Sequence, residues 1–336
     1  MKFNKLPAAL CAAMALASGL ASAQAPIVIK FSHVTTADTP KGMAAQRFKE
    51  LAEKATKGRV KVEVYPNSQL YKDTEEMEAL ELDAVQMLAP SLSKFAPLGV
   101  KEFEVYDLPY ILPSKAALTR VNDGPVGRSL LKKLEPKGIT GLAFWDNGFK
   151  EMTGDRPMRL PADLKGMKMR IQSSRVLDAQ MRALGAIPQE LAFSQVYAAM
   201  QSGLVDGSEN APSNIYTQKM HEVQKYMTMS DHGYLGYVVV TNKKFWDSLP
   251  ADIRDELAAA MKEATRYADL IAQQENERAL AAIRKSGKMQ VYILTAQEKA
   301  EWRKALLPVQ RAMEEHIGKQ LIADFNREAA AAEAGK

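Results

Sequence analysis

The chain has 336 residues, with 45 lysines and arginines against 40 aspartates and glutamates and a single cysteine. The net charge of +5 is spread over interspersed residues of both signs, which excludes the basic arm or stripe that nucleic acid selects. Cys11 alone can form neither an intrachain disulfide nor a thiolate metal site, so the fold must rest on its core.

Taken in chain order, the sequence begins with Lys2 and Lys5 ahead of an apolar stretch, Leu6 to Leu20, closed by Ala21-Ser22-Ala23. That is the pattern of a secretory signal peptide, residues 1–23, with cleavage expected after Ala23. The competing reading is a membrane anchor, but the run is short of the ~20 apolar residues a bilayer needs. Removing Lys2 and Lys5 leaves 43 basic against 40 acidic residues, a small excess suited to holding an anion at a few points. Roughly 310 residues remain, enough for two ordinary domains.

Ile27 to Ser32 alternates as a strand does, and Thr39-Pro40 caps and opens a helix whose Ala44, Phe48, Leu51, Ala52 and Ala55 share one face. Val60 to Tyr65 is a second strand, followed by a helical stretch from Asp73 to Leu82 and a short strand from Val85 to Ala89. The same alternation returns with strands at Ile139–Trp145, Lys168–Ile171 and Tyr237–Thr241 and helices at Ser174–Leu184 and Phe193–Ser202. It predicts α/β layers. From Ala251 to Ser286 there is neither glycine nor proline, and the composition favours helix throughout. One helix of ~54 Å would brace two domains, while two helices meeting at a kink are the alternative.

No Gly-x-Ser-x-Gly elbow, His-Glu-x-x-His, phosphate loop or dinucleotide fingerprint occurs, so enzymatic readings lose ground and no cofactor is expected. His33, His221, His232 and His316 lack metal-ligand spacing, and no metal is expected. What remains is a set of cationic and amide side chains. Arg170 ends a strand, and its guanidinium presents a fixed fork suited to a carboxylate, against the simpler reading of a surface salt bridge to Asp163 or Glu190. Asn210 lies where an apolar strand gives way to turn residues, as either a donor to a carboxylate or a cap for the helix beginning near Pro212. Asn147 poses the same question beside a tight turn. Trp145 and Phe193 are candidate pocket walls or plain core. Lys41, at a helix N-terminus, either joins that positive end in an anion site or extends into water, the latter being the default.

Six segments in register carry a family resemblance: Phe31-Ser32-His33-Val34 with Thr39-Pro40-Lys41-Gly42; Tyr65-Pro66-Asn67-Ser68-Gln69-Leu70; Asp107-Leu108-Pro109-Tyr110; Leu164-Lys165-Gly166-Met167-Lys168-Met169-Arg170; Ala192-Phe193-Ser194-Gln195-Val196-Tyr197; and Asp206-Gly207-Ser208-Glu209-Asn210. Together they resemble the solute-binding proteins of tripartite ATP-independent periplasmic (TRAP) transporters, in particular the DctP type that binds C4-dicarboxylates. The resemblance implies a bilobed α/β periplasmic binding protein with a ligand cleft between two lobes and a long bracing helix. It implies a small organic acid as ligand, small and large integral membrane subunits as partners, uptake driven by an ion gradient, and action as a monomer in the periplasm.

By residue-level match, Arg170 corresponds to the family's carboxylate clamp, Asn210 to its accompanying amide and Phe193 to a wall aromatic. Lys150, in Asn147-Gly148-Phe149-Lys150, stands where other members carry a second arginine. Lys41, Ser91 and Ser173 are candidates for the ligand's far end. Family boundaries place residues 24–147 plus 236–275 in the first lobe and 148–235 plus 276–330 in the second, with 331–336 as a tail. Relatives that bind dicarboxylates often follow the Asn210 position with threonine-tryptophan, whereas this chain has Ala211-Pro212, so another organic acid is an alternative ligand. Two further alternatives are a sensory partner of the same fold and a periplasmic hydrolase or lyase using Asp146 or Glu209 as base.

Overall fold

The computed structural model describes residues 25–334; the expected signal peptide and the last two tail residues lie outside them. Strands β1 (Ile27–Ser32), β2 (Val60–Tyr65) and β3 (Met87–Leu88) open the chain, with β1 paired in parallel to both others. Between β1 and β2 runs the helix Pro40–Ala55, whose N-cap Thr39 accepts from the Gly42 N–H through its hydroxyl at 3.1 Å. Its buried Ala44, Phe48 and Ala52 pack on Ile29, Phe31, Val60 and Val62 of the two strands.

β4 (Ile139–Gly154) and β8 (Tyr226–Asn242) are 16 and 17 residues long and pair antiparallel towards both ends, with residues 229–232 of β8 left out of the pairing between Lys150–Gly233 and Met152–Thr228. Between them in sequence come β5 (Lys168–Ile171), β6 (Ile187–Glu190) and β7 (Gly207–Asn210), with β5 parallel to both neighbours, while β9 (Gln290–Ile293) pairs in parallel with β8. The sheet order is β2-β1-β3-β8-β4-β7-β5-β6. Two parallel patches therefore sit at opposite ends of one long antiparallel pair. Each patch carries its own helices and its own core. Phe31, Phe48, Trp145 and Leu257 belong to one end, and Met169, Met181 and Trp302 to the other.

Both long strands extend well beyond Ile139–Trp145 and Tyr237–Thr241, where the sequence pattern ends. Asp146-Asn147-Gly148 has turn composition, but the pairing of Asp146 with Gly236 and of Gly148 with Leu235 makes Asn147 the extra residue of a β-bulge, not the flank of a tight turn. Gly148 adopts φ +110° there, and a Cβ on it would stand 2.4 Å from the Asn276 side-chain nitrogen. A second expectation also reverses. Gly207–Asn210 is itself the strand, and the following helix Pro212–Thr217 has Ala211 at its N-cap, so Asn210 does not cap it.

Ala251–Ser286 is a single helix of 36 residues, ended by Gly287 at φ +67°. Its first half buries Ile253, Leu257 and Met261 in the core of β1 and β2, and near its end Ile283 joins Phe193, Val196 and Met227 in the opposite one. In its second half, Asn276 donates to the Asn147 carbonyl at 2.6 Å and accepts from the Ser213 N–H at 2.9 Å, tying the helix to the bulge. The last helix, Lys319–Ala334, runs through the expected tail as far as Ala334. Its Ile322, Phe325 and Ala329 share a core with Tyr106, Phe144 and Val240.

Candidate functional site

Arg170 is the third residue of β5 and lies between Gln189 of β6 and Ser208 of β7, near the carboxyl end of a parallel patch, where α/β sheets collect their binding groups. Its side chain is 2% exposed, which excludes a surface ion pair. Nε and Nη2 both donate to the Leu191 carbonyl, at 3.0 and 2.8 Å, and fix the guanidinium plane. Phe193 stands 5.8 Å from it, ring centroid to Cζ. Burial pulls the arginine below its ordinary pKa, while Asp73, Glu209 and Glu190 oppose that effect. Among the described residues no carboxylate pairs with it. Asp73 and Glu209, which line the same cleft, are committed to Lys94 at 2.8 Å and to Lys150 at 2.7 Å.

Asn210 ends β7 on the same cleft. Its Oδ1 accepts from the Ala211 N–H at 3.0 Å and from Asn214 Nδ2 at 2.9 Å, which turns the amide so that its Nδ2 is the free donor. Phe193 opens a short 3-10 turn, and its N–H donates to Asp73 Oδ1 at 3.0 Å, a bond that joins the two ends of the molecule across the cleft.

Lys150, on β4, lines the cleft but is already engaged. Its Nζ donates to Glu209 Oε1, with Asp107 Oδ1 at 3.8 Å, and the Glu209 Oε2 is held by Gln180 Nε2 and His232 Nε2, each at 2.8 Å. Burial alone would raise the Glu209 pKa, but the Lys150 charge and the His232 hydrogen bond hold it well below the usual carboxylate range. Burial pushes Asp107 up to about 7.

At the other end of the cleft, Lys41 is 1% exposed and does not reach water. The first turn of its helix abuts the sheet, so Nζ donates to the Ala89 carbonyl at 3.1 Å and lies 3.9 Å from the Tyr237 ring centroid. Burial lowers its pKa to about 8, against the opposing charges of Glu76 and Asp73. Ser91 Oγ accepts from Gln172 Nε2 at 2.7 Å, and both residues line the cleft.

Three expected positions lie elsewhere. Ser173 turns its hydroxyl to Glu190, and its neighbour Gln172 takes the place in the cleft. Trp145 is core, tilted against Phe31 at 5.9 Å and donating to Thr265 Oγ1 at 3.0 Å. Asn147 is fully buried in the bulge, with neither side-chain polar atom bonded. Conversely, Asp73, Glu76, Gln172, Asn214 and Tyr237 line the cleft without having been singled out in the sequence. For Gln172 the signal was its place directly after β5; for the acids there was none, since isolated carboxylates resemble a solvated face.

The cleft is closed down to about 20 Å³ of room, the scale of a bound water. That is too small for an organic acid in this conformation. Parting and gripping around a buried cation are the working cycle of a two-lobed solute-binding protein. The chain belongs to the bacterial extracellular solute-binding proteins of family 7, DctP, whose family model matches residues 31–316.

It is similar, at 60% identity over 311 residues and 93% of each chain, to the C4-dicarboxylate-binding periplasmic protein DctP of Rhodobacter capsulatus. The crystal structure of a TRAP periplasmic solute binding protein from Sulfurospirillum deleyianum, with bound succinate, superposes with TM-score 0.87 at 44% identity, covering 90% of this chain and 98% of that one. One from Pseudomonas aeruginosa, with bound L-malate, gives TM-score 0.84 at 43% identity over 85% of this chain and 100% of that one. The family and these relatives bind solutes in the periplasm, and this chain is a periplasmic solute-binding protein with them. Among the described residues no helix is long and apolar enough to cross a membrane.

Proposed function

We propose that this protein captures a C4-dicarboxylate and delivers it to the small and large membrane subunits of a TRAP transporter, acting as a monomer and without turning the ligand over. The reading rests on one observation above all: Arg170 is a buried cation with no acid partner among the described residues and with Nη1 unbonded. Such a charge is costly unless a carboxylate from outside meets it. In this reading Arg170 and the Nδ2 of Asn210 hold one carboxylate against the wall of Phe193, and Lys41 and Ser91 reach toward the other. Lys150 acts from behind, fixing Glu209 and through it the end of β7. Binding without turnover is supported by Glu209 itself, whose two oxygens already receive three donors, leaving it poorly suited to act as a base. The lobes divide at the Asn147 bulge of β4 and the facing Leu235–Gly236 of β8, with the helix Lys319–Ala334 assigned to the first lobe.

Isothermal titration of the purified protein with succinate, L-malate, orotic acid and β-D-galacturonate tests the ligand class. Succinate or L-malate is expected to bind at least ~100-fold more tightly than the two ring acids, about 2.7 kcal/mol of discrimination. Tighter binding of a ring acid would move the ligand out of the C4 class, and heat evolution continuing after saturation would show turnover.

A further inference from the structure

We propose that Glu76 sets how many negative charges the cleft accepts, by taking up a proton when a dianion binds beside Lys41. The inference rests on reading the cleft as a dicarboxylate site. Glu76 begins the helix Glu76–Glu81, is 1% exposed and lines the cleft, yet its Oε2 is buried with no hydrogen-bond partner. Every other carboxylate on the cleft is bonded: Asp73 to Lys94 and to the Phe193 N–H, Glu209 to Lys150, Gln180 and His232.

The charges facing Glu76 come from each element around it: Lys41 from the helix Pro40–Ala55, Asp73 from the preceding turn, Lys94 from the 3-10 turn Leu92–Lys94, and the Tyr237 hydroxyl from β8. Lys94 is spent on Asp73, so Lys41 is the cation left to balance Glu76. If Glu76 is ionised, Arg170 is the one uncompensated cation on the cleft among the described residues, and the cleft suits a single carboxylate. With Glu76 protonated, Lys41 is released for a second carboxylate, and the acid becomes an O–H donor where an acceptor would repel the ligand. Burial and the charge of Asp73, opposed by Lys41 and Lys94, bring the Glu76 pKa to about 7, so the proton is available near neutrality. A second carboxylate arriving nearby raises it further. Lys41, near 8, is held in its charged form by the same ligand.

Difference infrared spectroscopy on adding succinate to the native protein at pH 8 reads the proton directly. A protonated-carboxyl band should appear with ligand and be missing in Glu76→Gln, whose neutral side chain mimics the protonated acid and should bind succinate about tenfold more tightly than native protein at that pH. Calorimetry at pH 8 in phosphate and in Tris counts the protons: Lys41 contributes to the uptake in both proteins, so the native protein is expected to take up about one proton more per succinate than Glu76→Gln, and the same count in both would overturn the proposal. Equal enthalpies in the two buffers, or a band that persists in Glu76→Gln, would overturn the role of Glu76. Absence of succinate binding in the native protein would instead overturn the dicarboxylate reading beneath it.

Discussion

Arg170→Ala is expected to weaken binding of the cognate acid by about 3–5 kcal/mol, a few hundred- to a few thousand-fold, measured by calorimetry. The size follows from burial. The arginine is 2% exposed, its Nε and Nη2 are anchored on Leu191, and the ligand carboxylate would lose its charged partner while buried, where a neutral water replaces only part of what the guanidinium supplies. Arg170→Lys keeps the charge but not the planar fork, and should recover only part of the loss. Because the same guanidinium anchors the segment before Phe193, the melting temperature of each variant separates lost affinity from lost structure. Affinity unchanged in a folded Arg170→Ala would remove Arg170 from the site.

The second large effect falls on stability. Glu209→Gln leaves the Lys150 ammonium buried with only the more distant Asp107 for company, and is expected to cost about 3–5 kcal/mol in urea unfolding. Lys150→Met combined with Glu209→Gln should restore much of that loss, because the buried charge is then gone with its partner. The sign with pH follows from the depressed Glu209 pKa. Its contribution is present in full above the ordinary carboxylate range and is lost progressively as pH falls from that range through the much lower value of the folded protein. A single-variant cost below about 1 kcal/mol would mean that Lys150 finds another partner when Glu209 is neutral.

Much of the framework was legible because its signals are local. Val60–Tyr65 and Lys168–Ile171 occupy the residues read from alternation, and the helix Ala251–Ser286 begins and ends where helix-forming composition begins and ends. The long strands were not legible, since Asp146-Asn147-Gly148 and Asp231-His232-Gly233 have the composition of turns. A bulge at Asn147 carries β4 through its turn-like residues, and β8 passes Asp231-His232 in a register shift opposite Glu151, between the pairs Lys150–Gly233 and Met152–Thr228. The two readings of Asn210 could not be separated by spacing. Its side-chain oxygen is satisfied by Ala211 and Asn214, which leaves its nitrogen as the free donor of a residue that lines the cleft.

The electrostatics were the least legible part. From its position alone Lys41 defaulted to a solvated lysine, and only the family resemblance made it a site candidate; its burial under Tyr237 depends on how its helix meets the sheet, which spacing does not encode. Asp73 became visible as a site residue only through Lys94, 21 positions away, and Glu209, weighed in the sequence as a base, acquired its pairing role only through Lys150, 59 positions away. Trp145 and Phe193 illustrate the same limit. Both are large buried aromatics, and only the tertiary fold assigns one to the core and the other to the cleft.

The most direct test of the central claim is a crystal structure of the protein with succinate. The prediction is one ligand carboxylate on the free edge of the Arg170 guanidinium, within hydrogen-bonding distance of Asn210 Nδ2, and the other end beside Lys41. Succinate bound elsewhere, with Arg170 paired to a protein carboxylate, would contradict it.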